Sequence, residues 1–527
     1  MGLLQLVEDR PTPTAVYNWR IYVLALIASC GSNMIGYTSA FIGTTITLTS
    51  FETEFGFENM TEEQVSMISE NIVSLFIAGA FFGAILTYAL GHFLGRKWSL
   101  VIASAIFTLG AGLQLGATSS TGLGIMYAGR VFSGLGTGVA SNIIPIYISE
   151  LSPPAIRGRL VGFYELGWQV GGLVGFWINY GVELHMAPSR QQWIIPFSIQ
   201  IIPSGMLFFG ALWIRESPRW LFLRGRRAQA MNNLCWIRQL DESDIYIKEE
   251  VAAIDQTLEE QIATIGLGFW APFQAVSKRK SVLYRLFLGC MLFLWQNGSG
   301  INAINYYSPT IFSSIGVSES DIGWMTGIFG VVKAVMTIFW LLFLVDQLGR
   351  RNLLLGGALM GSACMWIIGA YVCVARPDLH PASHVNGAGI AAIFFFYFWT
   401  EFFDPNLRSL AQAVTTSSNW LFNFLVSRFT KQMFAKMNYG VYFFFASLSF
   451  LAFFFAFFFI PETGGIPLEA TERLFEIKPV WKAHAKLKAQ LKEDEMQFRS
   501  EIKDGVFGKE ENEAHAHVEN PAENSAS

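Results

Sequence analysis

Charge is the scarcest property of this 527-residue chain. Asp, Glu, Lys and Arg together make up 14% of it, against about 25% in a typical soluble domain. A fold surrounded by water has too little polar surface here to cover its apolar content. A net charge of −4 gives no reason to expect a nucleic-acid partner. Cysteine is rare as well: Cys30, Cys235, Cys290, Cys364 and Cys373 show no CxxC or metal-ligand spacing. They read as small thiols buried in the membrane rather than as disulfides or ligands. No nucleophile–base cluster, metal set or phosphate loop is present, which argues against an enzyme and against any cofactor. The N-terminus MGLLQLVEDRPTP is too short and too polar for a cleaved signal peptide. It also lacks the Ser or Thr expected for myristoylation. Finally, segments 44–69 and 308–321 contain no Lys or Arg.

Apolar residues are abundant: 52% of the chain is hydrophobic, with 47 Phe. A membrane helix needs about 20 apolar residues to cross about 30 Å. That ruler predicts spans near 21–43, 70–94, 98–118, 124–147, 160–182 and 194–214. After a polar stretch, further spans are predicted near 283–307, 322–346, 352–375, 409–433 and 439–460. Between the last two groups, 387–400 is a run of 14 residues, about 21 Å as a helix and short of a full crossing. The loops at Arg96–Lys97, Arg157–Arg159 and Arg350–Arg351 are basic, and 215–281 carries ten Lys/Arg. Positive loops stay in the cytoplasm, so both termini are expected there if twelve segments cross. The sequon at Asn59 then lies outside, open to glycosylation. A second sequon, at Asn297, falls within a span and should stay bare. The tail beyond about Pro479 reads as a solvated helix and then a disordered end.

The two halves echo each other. LGRK (94–97) answers LGRR (348–351), ELSPPAIR (150–157) answers EFFDPNLR (401–408), and RESPR (215–219) answers PETGG (461–465). Three repeats in the same order indicate a duplicated six-span unit. Their charged residues, Arg96, Glu150, Arg157, Glu216, Arg219, Arg350, Glu401, Arg408 and Glu462, form a candidate cytoplasmic latch. Each can bridge to the opposite half or to a helix end through the macrodipole; anchoring of orientation is the simpler alternative. The repeat also exposes a gap. The 22 residues before Glu150 form a full span, whereas the 22 before Glu401 begin as loop, so about half a crossing is missing. Coding residues removed as a false intron, a decayed form that no longer carries substrate, and local bilayer thinning each account for it.

Within the spans, Gln296, Asn297, Asn302 and Asn305 place four amides in ten residues. Unpaired amides are costly in hydrocarbon, so they either hold helices together or face a polyhydroxy ligand, and the density favours a ligand. Glycines at 298 and 300 loosen the helix there. Lys333 lies about 13 residues from either end of its span, too deep to snorkel. A buried cation needs an anion or a wet cavity. An internal salt bridge would satisfy it, and so would a substrate carboxylate. Asn419, Trp420 and Asn423 lie on nearby turns of the eleventh span.

GRVFSGLGTG (129–138), PIYISELSPPAIRGRL (145–160), ESPRWL (216–221), QNGSGINAINYYSP (296–309), DQLGRR (346–351) and PETGGIPLE (461–469) resemble the sugar porter family of the major facilitator superfamily. YELGWQVGGLVGFWINYG (164–181) and GVVKAVMTIFW (330–340) are most similar to its fungal quinate permease branch. The resemblance implies two six-helix bundles, a cytoplasmic helical domain at 216–264 and rocker-type alternating access. It also implies substrate contacts at Gln169, Gln296 and Asn302, with Asn297 where most members have a second Gln, and Asn419, Trp420 and Asn423 near the cavity. Tyr306 and Tyr307 match an aromatic outer gate. At Lys333 neutral-sugar porters commonly have Asn, and the quinate branch has Lys. Thr38 stands where symporters place an Asp that Arg130 modulates, so Arg130 loses its counter-charge and proton coupling is in question. Glu165 is a weaker candidate proton carrier, alternatively a partner for Arg130 or Arg159. Arg215 and His92 depart from the usual Pro and Asp.

The expectation is therefore an all-α membrane protein of the major facilitator fold, two six-helix bundles with the tenth transmembrane helix truncated. Its parts are a cytoplasmic N-terminus (1–20), an N-terminal bundle (21–214), a cytoplasmic helical linker (215–282), a C-terminal bundle (283–460, short span at 387–400) and a cytoplasmic tail (461–527). It is expected to be a plasma-membrane monomer, without cofactor, metal or nucleic acid, that moves quinate or a related hydroxylated carboxylate. A proton is a candidate co-substrate. The alternatives are a hexose or polyol transporter and a non-transporting, sensor-like or defective member.

Overall fold

The computed structural model describes residues 12–266, 268–278, 280–339, 350–377, 387–399, 412–462 and 479–490, with single positions at 474, 477 and 493. Among these the chain is helical, with no strand. The first half comprises α1 (Trp19–Thr45), the short α2 (Thr49–Glu54), α3 (Glu62–Phe93), α4 (Gly95–Leu115), α5 (Leu123–Leu151), α6 (Arg157–His185) and a sixth span broken into α7 (Arg190–Ile199) and α8 (Ile201–Trp213). Its large core is continuous from Ile21 and Leu24 to the aromatic cluster of Phe41, Phe51, Trp193 and Phe197. Large apolar side chains such as Phe82 and Phe209 stand exposed, as expected of helices whose solvent is lipid.

Helix α3 shows how the sequence sets its own limits. Thr61 accepts a hydrogen bond from the Gln64 backbone N–H while the Gln64 side chain accepts from Thr61 N, and two glutamates occupy the first turn. This capping box starts the helix eight residues before the apolar run, at Glu62 rather than near residue 70. The segment before it is not bare loop, since it contains α2 and a short 3-10 turn ending at Asn59.

A group of helices between the halves follows: α9 (Pro218–Leu223), α10 (Arg227–Arg238) and α11 (Ile245–Ile265). It has its own small core of Trp220, Leu221, Leu234, Ile247, Val251 and Ile254. Short α12 (Ala271–Lys278) leads into the second half. There the spans are α13 (Lys280–Gly298) continued by α14 (Ile301–Ile315), α15 (Glu319–Phe339), α16 (Arg350–Ala375), α17 (Gly387–Trp399), α18 (Gln412–Met437) and α19 (Gly440–Phe459). Eight described helices are long and apolar enough to cross a membrane. Polar insertions and kinks keep α6, α13–α14 and α18 out of that count. Helix α17 has 13 residues, about 20 Å at 1.5 Å per residue; the flanking 378–386 and 400–411 lie outside the described residues. The halves meet along α3–α18, α6–α15 and α1–α14.

The break between α13 and α14 positions the candidate site. Gly300 adopts φ +88°, a left-handed conformation that favours glycine. Tyr307, just before Pro309, is also non-helical. The seventh span is thus two helices with different faces.

Candidate functional site

Residues of α1, α6, α14 and α15 line a small, partly open cavity between the two halves. Its wall includes Ser39, Trp168, Gln169, Phe176, Asn305 and Lys333. Lys333 is 8% exposed. Its ammonium donates to Asn305 Oδ1 at 3.0 Å and lies 5.7 Å from the centre of the Phe329 ring. The amide oxygen and the aromatic face together orient the ammonium at the cavity wall. Of the residues read as ligand-facing, Gln169, Asn305 and Lys333 are on this wall. Ser39 and Trp168 were not among them.

The other amides do different work. Asn297 is fully buried, and its Nδ2 donates to Phe293 O at 2.9 Å and to Asn419 Oδ1 at 2.8 Å. Asn302 Nδ2 donates to Asn297 Oδ1 at 2.7 Å. Asn297, Asn302 and Asn419 therefore join α13, α14 and α18 as one network. Gln296 is half-buried, with its Oε1 enclosed and without a hydrogen-bond partner. Replacing Asn297 by leucine strands two buried amides at about 1–3 kcal/mol each. The melting temperature of ligand-free protein in detergent is expected to fall by several degrees; a residue serving only the ligand would leave it unchanged.

Trp420 donates from Nε1 to Ser141 Oγ at 3.1 Å and packs edge-on against Phe76, tying α18 to α5 and α3. Asn423 accepts from Ser427 Oγ and also bonds the Tyr306 hydroxyl, which reaches Ser39 as well. Tyr306 and Tyr307 are both buried where α14 meets the first half. A β-carbon at Gly43 would stand 1.9 Å from the Tyr306 carbonyl oxygen, so glycine there lets α1 and α14 touch. Thr38 is buried, and its hydroxyl donates to Met34 O within its own helix. Arg130 is fully buried; its Nε donates to Ile72 O, its guanidinium stacks on Phe76, and Nη1 and Nη2 find no partner.

At the start of α4, Arg96 grips Glu150 through two hydrogen bonds, of 2.9 and 2.6 Å. This pair joins α4 to α5 within the first half and does not cross to the second. Glu216 caps the start of α4, accepting from the backbone N–H groups of Arg96 and Lys97. Burial pushes its carboxyl pKa up, and these bonds, that from Ser217 N and the Arg96 charge pull against the shift. Glu462 likewise accepts from Arg351 N at the start of α16. The two glutamates thus occupy helix N-termini, as the macrodipole favours. Arg157 opens α6 and Arg219 is exposed on α9. Arg350 opens α16, but its side chain, with Glu401 and Arg408, lies outside the described residues. Asn59 is exposed in its short 3-10 turn.

The family model described as "Sugar (and other) transporter" matches residues 24–475. A probable quinate permease of Aspergillus flavus is 62% identical over 526 residues, covering 97% of this chain and 98% of that one. One of Aspergillus niger is 61% identical over the same length and coverage. Among solved structures, the proton:xylose symporter XylE of the major facilitator superfamily, bound to 6-bromo-6-deoxy-D-glucose, superposes with a TM-score of 0.72. It is 27% identical and covers 86% of this chain and 99% of its own.

Proposed function

Because the chain belongs to the sugar (and other) transporter family and is a multi-pass membrane transporter, not an enzyme, we propose that it carries quinate or a closely related hydroxylated carboxylate. The observation that carries this reading is the Lys333 ammonium on the cavity wall beside Asn305 and Gln169. Cation and amides together match a ring with one carboxylate and several hydroxyls. The names of the Aspergillus relatives support the same cargo.

Uptake of labelled quinate into cells expressing the chain tests the reading. Excess unlabelled quinate should abolish the signal and excess neutral hexose should not. Hexose uptake without quinate uptake would transfer the assignment to a sugar; quinate binding without uptake would transfer it to a sensor. Thr38 has no titratable group and spends its hydroxyl on Met34 O, so position 38 supplies no protonation step. This supports transport down the substrate gradient.

We place the chain in the plasma membrane as a monomer, with both termini cytoplasmic and 44–69 outside. The absence of Lys and Arg from that segment and the exposed sequon support the orientation. Asn59→Gln is expected to give a sharper, faster-migrating band on a denaturing gel, with no further shift on enzymatic deglycosylation.

A further inference from the structure

Glu70 lies two turns into α3, at its external end. Its side chain is 0% exposed. Across the boundary between the halves, Arg428 of α18 donates from Nη1 to Glu70 Oε2 at 2.6 Å. Gln432, one turn further along α18, donates to the same oxygen at 2.9 Å. Lys431 is within electrostatic reach of Glu70 and of Glu52 on α2, and Glu52 in turn feels Glu58. Tyr307 of α14 feels both Glu70 and Arg428, and its hydroxyl donates to Ser427 O at 3.3 Å. Two helices of the first half and two of the second thus converge on one buried carboxylate.

The Arg96–Glu150 pair sits inside the first half and keeps its geometry when the halves rock. Glu70–Arg428 joins the halves. In alternating access the external ends of α3 and α18 must separate, because the halves move as bodies around the substrate. Once they part, water reaches both groups and the attraction between them falls with the rising dielectric. The pair therefore stabilises the closed outer mouth selectively, and any contact present in one state only shifts the balance between states. It stands directly beside the tyrosines packed at the α1–α14 contact, so charge and aromatic closure act at one level of the pore.

We infer that Glu70 and Arg428, steadied by Gln432, form the latch that closes the outer mouth after substrate has entered. The inference rests on the transporter reading but not on the identity of the cargo.

External labelling of a cysteine placed at cavity residue 40 (Ala40→Cys) by a membrane-impermeant maleimide reads the latch without any substrate. The full chain is used, and labelling is compared with the same chain without the reporter. Glu70→Gln and Arg428→Gln should each raise the labelling rate by about tenfold or more, the change expected when a state-specific contact is lost. Gln432→Leu, which removes no charge, should raise it less. The charge exchange Glu70→Arg with Arg428→Glu should return it toward the parent rate. Labelling at the parent rate in both single variants present at the cell surface overturns the latch. If neither single variant reaches the surface, Gln432→Leu and the exchanged pair decide. Parent-rate labelling in Gln432→Leu, or an exchanged pair as open as fully accessible protein, overturns it.

Discussion

Replacing Lys333 by asparagine is expected to lower quinate uptake per surface transporter by about 100-fold, close to 2.7 kcal/mol of lost transition-state or binding free energy. A hydrogen bond to a charged group contributes about 1.5–3 kcal/mol, and the cavity wall makes this ammonium the natural partner of a carboxylate. Protein abundance should change little, because the variant takes one charge out of the membrane interior, a change that favours the folded state. Lys333→Arg keeps the charge but replaces a compact ammonium with a planar fork. It should retain part of the uptake with a raised KM. Uptake at increasing quinate concentration, normalised to surface protein, separates these cases. Full quinate uptake by Lys333→Asn would remove the argument for an acidic cargo. A gain of polyol or hexose uptake in the same variant would strengthen it, since the cavity would then have exchanged a charged guest for a neutral one.

The spans were legible because apolar runs of about 20 residues have one main explanation. Lys333 was legible for the related reason that a polar group deep in a span demands one, and Gln169 through the family resemblance. The assignment of the amides was harder. Spacing arguments treat the seventh span as one helix, and the turn at Gly300 divides it. Asn297 falls on α13 and turns to Asn419, while Asn305 falls on α14 and meets Lys333. The glycines signalled a loosening but not which face each amide would take. Ser39 and Trp168 carried no signal, because hydroxyls and indoles are common in apolar helices.

The ion pairs show the same limit. The repeated motifs singled out Arg96 and Glu150, and those residues do meet, but inside one half. Glu70 was placed at the edge of its span because the apolar run starts there, whereas capping at Thr61 carries the helix outward. Arg428 and Lys431 lay inside the predicted eleventh span, and two cations there were the available clue. The stub expected at 387–400 coincides with α17, but the residues on either side of it, 378–386 and 400–411, lie outside the described residues, and so do Glu401 and Arg408.

Arg238→Met is expected to loosen the cytoplasmic helices from the first half. Arg238 is almost fully buried at the end of α10. It donates to both oxygens of Glu250, at 2.9 and 2.6 Å, and to the Leu151 carbonyl at 2.7 Å. That carbonyl belongs to the last turn of α5, where intrahelical donors run out. One guanidinium thus fastens α10, α11 and α5 together. Burial works against its charge, and the Glu250 carboxylate outweighs burial, so its pKa rises. Removing one partner of a buried pair costs about 3–5 kcal/mol, while replacing both with apolar groups is often near neutral. Arg238→Met alone should lower the melting temperature and speed tryptic cleavage around Arg224–Arg227. The double change Arg238→Met, Glu250→Met should recover much of both, though not all, because the Leu151 carbonyl stays unpaired. If the single variant melts and resists trypsin like the parent, the pair adds nothing net and the cytoplasmic helices are held by their apolar core and their other backbone contacts, such as Asn18 to Ile237 O.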